Sequence, residues 1–272
     1  MKTIKKRLVF YFYATPEWRE ERAIKIHLEC LKRYAHVFDE ALFIISLDYP
    51  EDKELIKDVE IGLISLGFKD IKFKIHKNSP YCEAEVFHDE VVDNLDKLDG
   101  LTFFGHTKGV TNYNSHSKDS IDNWIIGLYY LSLEFIDEVE QSLCFYENRF
   151  YGSFLSLLNN HFYYDGAFFW INCCAVANDI KNGYVSLPKY CYSKSYSKEF
   201  PSQLYWDSPN ESSTMERKDG HDSMYLYAST NKSDSLYENS ESGVWFILSE
   251  GDEFEEFKKV RDNILEKVDR DA

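Results

Sequence analysis

Four residues near the middle of the chain, His106-Thr107-Lys108-Gly109, follow directly on the apolar run Leu101-Thr-Phe-Phe-Gly105. An imidazole and an ammonium two residues apart can hold an anion through charge-assisted hydrogen bonds. Gly105 and Gly109 tolerate backbone angles closed to other residues, so the chain can turn tightly there. The pattern reads as a buried strand delivering a cationic loop to a ligand, and open α/β sheets bind ligands at such carboxyl ends. A second candidate is Asp165, between Tyr164 and Gly166. Its carboxylate could accept sugar hydroxyls or act as general base toward an acceptor hydroxyl, although Asp-Gly is also a good turn. Tyr164 and Trp170 are candidates for a stacking wall against a sugar ring.

Other titratable residues carry less. His27 and Glu29 share one predicted helix with nothing that completes a metal site, and His116, His161 and His221 are scattered. H-E-x-x-H and paired C-x-x-C patterns are missing, as are G-x-G-x-x-G, the Walker loop and G-x-S-x-G, so zinc sites, dehydrogenases, P-loop enzymes and α/β-hydrolases drop from the front rank. Six cysteines without repeated spacing, Cys173-Cys174 among them, are expected to be reduced thiols used in packing.

The elements that must position these residues alternate. Leu8–Tyr13 is strand-like, and a helix is expected from about Pro16 to Tyr34, with Trp18, Ala23, Ile26, Cys30 and Tyr34 on one stripe. Ala41–Leu47 lacks polar alternation, as a strand covered on both faces does, and ends at Asp48. A helix over Asp52–Leu66 stops at Gly67, Ile71–Ile75 alternates as a third strand, and Ala84–Leu98 is a third helix turning through Asp99-Gly100 into the opening stretch. Four strand–helix alternations predict a parallel sheet. Ser120–Cys144 reads as a long helix or helix pair, Arg149–Leu155 and Ala167–Ile171 as strands, Cys173–Lys181 as a short helix and Asp252–Val268 as an amphipathic one. Tyr190–Ser242 reads as long loops or a lid.

The 272 residues fit one large domain, with residues 1–118 carrying the strand–helix alternations and 119–272 the loop-rich 190–242 stretch and the last helix. A net charge of -16 argues against nucleic acid as partner, because phosphate backbones demand a basic face. No export signal or membrane-length apolar run appears, so a cytoplasmic location is expected.

His106-Thr-Lys-Gly109, Trp124 on a helix, and Tyr164-Asp-Gly-Ala-Phe-Phe-Trp170 together resemble a group of GT-A-type glycosyltransferase-like proteins associated with bacterial polysaccharide and surface-glycan assembly. The resemblance covers roughly residues 7 to 185. Ile125 stands where that group usually has arginine, and Ala167 where Asn or Thr is more typical. The resemblance implies an α/β, Rossmann-like GT-A-type fold with a mostly parallel central sheet flanked by helices. It also implies transfer of a sugar from a nucleotide-sugar donor to a glycan or lipid-linked acceptor. Tyr11, Tyr13 and Asp48 then fall where such folds contact base and ribose. His106, Thr107, Lys108 and Gly109 fall where the donor diphosphate would be held, and Trp124, together with Glu83 or Glu85, falls on the sugar or acceptor side. Many GT-A enzymes place an Asp-x-Asp metal motif at the fourth strand end, whereas this chain has His106-Thr107-Lys108. No metal or other cofactor is therefore expected to be obligatory, with Mg or Mn as an optional divalent cation. The rival expectation is a catalytically silent relative that binds nucleotide or glycan.

Overall fold

The computed structural model describes residues 4–78, 82–107, 118–145, 149–152, 155–158, 161–164, 168–182, 233–234, 238–239 and 252–270. The first half alternates as its sequence predicts: β1 (Lys6–Tyr13), α1 (Arg22–Tyr34), β2 (Glu40–Leu47), α2 (Lys53–Ile64), β3 (Ile71–Lys77), α3 (Cys82–Glu90) and β4 (Leu101–His106). There follow α4 (Lys118–Leu133), α5 (Ile136–Glu140), β5 (Phe150–Gly152), β6 (Leu155–Leu158), β7 (His161–Tyr164), β8 (Phe169–Asn172) and α6 (Cys173–Lys181). Two-residue strands β9 (Ser233–Asp234) and β10 (Glu238–Asn239) and the helix α7 (Asp252–Arg270) complete the order.

The main sheet runs β3-β2-β1-β4-β8-β5-β9. The β1–β2, β2–β3 and β1–β4 pairs are parallel, while β8 lies antiparallel between β4 and β5. This is an α/β fold with a mostly parallel, mixed sheet flanked by helices, consistent with a Rossmann-like arrangement. A smaller sheet, β10-β6-β7, contains the β6–β7 antiparallel pair.

Each face of the sheet buries its own core, because alternate residues of a strand point to opposite sides. On the first face, Leu8, Phe10 and Phe12 of β1 and Phe43 and Ile45 of β2 pack under α1, α2, α4 and α7. On the second, Val9, Tyr11, Ile44 and Phe104 meet Val86, Phe87 and Val91 of the α3 region and Val176 of α6. Helix α7 returns from the far end of the sequence to seal the first face: Phe257 sits edge-on to Tyr130, their centroids 5.5 Å apart, and Asp269 pairs with Arg22. Arg22 also reaches the buried carboxylate of Asp122 at 2.9 Å, tying α1 to α4.

Local signals set most boundaries. The Asp52 carboxylate caps α2 by accepting the Leu55 N–H at 3.0 Å. Gly67, at φ 88°, and Gly100, at φ 76°, take the left-handed turns that lead into β3 and β4. Several expectations need correction. The first helix begins at Arg22, not Pro16, because residues 16–20 form successive turns closed by Trp18 N–H to Thr15 O and Glu20 N–H to Glu17 O. The third helix ends at Glu90 and gives way to a 3-10 turn at Val92–Asn94. The 120–144 stretch is broken at Glu134-Phe135, and the expected 149–155 strand divides into β5 and β6. The loop-rich 190–242 reading lies, except for β9 and β10, outside the described residues.

At the amino end of the sheet the Arg7 guanidinium pairs with Glu40, which also meets Lys5 at 3.0 Å. Burial pushes the Glu40 carboxyl up, but hydrogen bonds from Lys5 and Arg7 outweigh it and hold the carboxyl below its ordinary value. The stabilisation is thus present above the ordinary glutamate range and is lost as pH falls through the lowered value. E40Q should cost about 1 kcal/mol at pH 7, the low end for a charge-assisted pair because one side stays wet. The cost should shrink as pH drops from about 5 to below the ordinary value of 4.5; urea unfolding of both proteins across that range is the check, and a constant difference would refute it.

Candidate functional site at the carboxyl ends of the parallel strands

Strand order fixes where a site can form. The chain moves from β1 outward to β2 and β3, then returns to place β4 on the other side of β1, so the strand order reverses between β1 and β4. The carboxyl ends of β1 and β4 therefore flank a topological switch point, where open α/β sheets leave a crevice for ligands.

The two strand ends are locked together. The Tyr13 N–H donates to the Thr107 hydroxyl oxygen at 3.0 Å, and the Thr107 N–H donates to Tyr11 O at 3.0 Å. Thr107 is thus a structural clamp, 7% exposed. Beside this clamp runs a polar network along the ends of β1, β2 and β3. The Tyr13 hydroxyl donates to Asp48 Oδ2 at 3.1 Å, and the Asn78 amide donates to Asp48 Oδ1 at 2.8 Å. The Tyr11 hydroxyl lies 3.0 Å from Ser46 Oγ and 3.1 Å from Asn78 Oδ1. Asp48 is exposed, so its carboxylate faces solvent while two neighbours fix its orientation.

On the β4 side, His106 is 5% exposed, packs against Phe168 at 5.9 Å between centroids, and has Nδ1 3.9 Å from Oε1 of Glu83. Glu83 is itself 4% exposed and lies beside the histidine. Glu85, one step along the same turn of α3, lies 3.5 Å from Nε2 of His76. Tyr11 meets the His76 ring edge-on, centroids 6.4 Å apart.

The sequence candidates therefore divide. Tyr11, Tyr13, Asp48, His106, Thr107 and Glu83 gather around the carboxyl ends. Trp170 does not: its ring is wholly buried, stacked on Phe38 at 5.5 Å, and its indole N–H donates to Ser132 O at 2.8 Å. A stacking role for it is corrected to a core role, since Trp170 pairs with Phe103 of β4 and shares that strand's first face. Trp124 is partly buried against the same core. Lys108, Gly109 and Asp165 lie outside the described residues, as does the side chain of Tyr164. Sequence reading missed Asn78, Ser46 and His76. Asn78 stands just past its parallel strand as Asp48 does past β2, and that shared position is the signal that could have found it.

Of the discounted residues His27 belongs to the core, while His116, His221 and the side chain of His161 lie outside the described residues. The His27 ring lies 2.8 Å through Nδ1 from the Tyr129 hydroxyl, both fully buried. His88, Asp89 and Asp93 come close enough to face one cation, but further along α3 and with both carboxylates exposed. Among the described residues no helix is long and apolar enough to cross a membrane. No protein-family model matches the chain, and a search of curated proteins finds no match either.

Cys173 and Cys174 are both free and play different parts. Burial pushes the Cys173 thiol up to about 11, only partly offset by Thr102, whose hydroxyl lies 3.4 Å from its sulfur. Cys174 is exposed. Alkylation of the native protein at pH 8 should label Cys174 and Cys144 and leave Cys173 and Cys30 intact until denaturant is added; mass spectrometry showing native labelling of Cys173 would contradict this.

Proposed function

We propose that the chain is a glycosyltransferase that moves a sugar from a nucleotide-sugar donor to a glycan or lipid-linked acceptor in polysaccharide assembly. The observation that carries the reading is the switch point itself, with a fixed carboxylate on one side and the origin of the His106-Thr107-Lys108 loop on the other. Asp48, oriented by Tyr13 and Asn78 at the end of β2, has the chemistry and place to accept ribose hydroxyls, as acidic residues after the second strand of nucleotide-binding sheets do. Lys108, the next residue in the sequence after Thr107, supplies an ammonium for the donor diphosphate. His106, backed by Glu83, is its neighbour at the base of the loop.

The reaction follows from these roles. The acceptor oxygen bonds to the anomeric carbon, the bond to the diphosphate oxygen breaks with its electron pair, and the acceptor proton passes to a base, for which Asp165 is the candidate. Charge grows on the leaving diphosphate, and a preorganised ammonium and loop amides stabilise it. No Asp-x-Asp occurs at the β4 end, so this scheme needs no divalent ion, although Mg or Mn could add to it.

Thermal shift and donor hydrolysis with a panel of nucleotide sugars test the reading. At least one donor should bind, and K108A should weaken it by about 10- to 100-fold, as expected for loss of a charge-assisted contact of ~1.5–3 kcal/mol, with the unfolding temperature unchanged. D48A should weaken binding by a smaller factor and H106A should lower turnover. Unchanged donor binding in K108A would remove the loop from the site; rates that fall to background on adding a chelator would overturn the metal-free scheme.

A further inference from the structure

A groove of about 230 Å³ opens on the second face of the sheet, toward the amino ends of β1–β3 and away from the switch point. α3 and the turn after it bury Ile44 of β2 on this side, while Leu42, nearer the amino end, stays partly exposed at the groove. Its apolar lining is Val9, Ala41, Leu42 and Leu98. Lys72 and Lys74 of the edge strand, both on this face by strand alternation, form one wall, and Glu90, Asn94 and Lys97 form the other. The Arg7–Glu40 pair closes the end.

The lining holds four cations against two carboxylates, an excess of two positive charges in a chain whose net charge is -16. Arg7 and Lys74 are committed to Glu40 and Glu90, the latter at 2.5 Å. Lys72 is 64% exposed and comes no closer than 3.8 Å to a carboxylate oxygen, and Lys97 is exposed with the Asn94 amide oxygen at 3.2 Å. Lysines on an edge strand also deter strand pairing. That role does not call for Lys97, which comes from a different element and lines the same groove.

We infer that this groove is a second ligand site, for a small phosphate monoester whose compact apolar body lies on Leu42, Val9 and Leu98 while its phosphate meets Lys72 and Lys97. The lining's excess of two positive charges matches the dianion that a monoester carries above its second pKa of about 6, better than the single charge of a carboxylate. The volume lies below the ~300–1,000 Å³ of drug-sized pockets, so a one-ring body fits and a nucleotide sugar does not. Nothing in this assignment depends on the transferase reading.

Isothermal titration of the full chain with 4-nitrophenyl phosphate, inorganic phosphate and 4-nitrobenzoate, each at low and at physiological salt, is the experiment. The ester should bind saturably and more tightly than either control, and should weaken as salt rises. K72E/K97E should weaken it by at least about tenfold while K108A leaves it unchanged. Both lysines are exposed, so thermal unfolding should match the parent, and K72Q/K97Q gives the same direction without charge reversal. No saturable binding, equal affinity in K72E/K97E, or loss in K108A instead would overturn the assignment. Inorganic phosphate binding as tightly as the ester would overturn the role of the apolar floor.

Discussion

β1 is the constraint on which everything else hangs. It is paired along both edges, to β2 over Arg7–Tyr13 and to β4 over Lys6–Tyr11, and Arg7–Phe12 are all buried. A strand held on four sides cannot slip by one residue without turning Phe10 and Phe12 out of one core and Val9 and Tyr11 out of the other. Register on β1 in turn sets the heights of Tyr13, Asp48 and Thr107, which is why their contacts at the carboxyl edge are within hydrogen-bond distance.

The two faces of the sheet have been used differently. The first carries four helices and a dense aromatic cluster in which Phe10, Tyr129, Phe168 and His27 meet in edge-on and stacked pairs. Gly105 belongs to this packing: a Cβ there would come within 3.2 Å of Phe10 and 3.3 Å of Phe168, so the missing side chain lets those rings close over β4. Among the described residues the second face is packed by α3, the turn after it and α6, and a groove lined by long, solvated side chains opens toward its amino end. A sheet can leave part of a face open at modest cost if the residues there keep their charged ends in water while their stems cover the strand.

The alternation of strand and helix was legible because β1, β2 and β4 are uninterrupted apolar runs and their helices carry clear periodic stripes. The placement of Asp48 and His106 at strand ends followed from that alone. The direction of β8 was not legible: Phe169–Asn172 looks the same read either way, and its antiparallel pairing with β4 has no local signal. Trp170 misled for a related reason, since an aromatic run of three gives no sign of which rings face inward until the pairing with Phe103 is known. Glu83 was visible as a helix-start carboxylate, but its burial beside His106 comes from how α3 leans on β4 and has no local signature.

The return of α7 to the first face has a consequence for biosynthesis. Phe257, Val260, Ile264 and Val268 are the last apolar residues to leave the ribosome among those that build the first core, and their partners on α1 and α4 have been translated long before. At ~5–20 residues per second, the stretch between Leu133 and Asp252 takes on the order of ten seconds to make. Through that interval the apolar side chains of α1 and α4 that α7 covers in the finished protein stay without that cover.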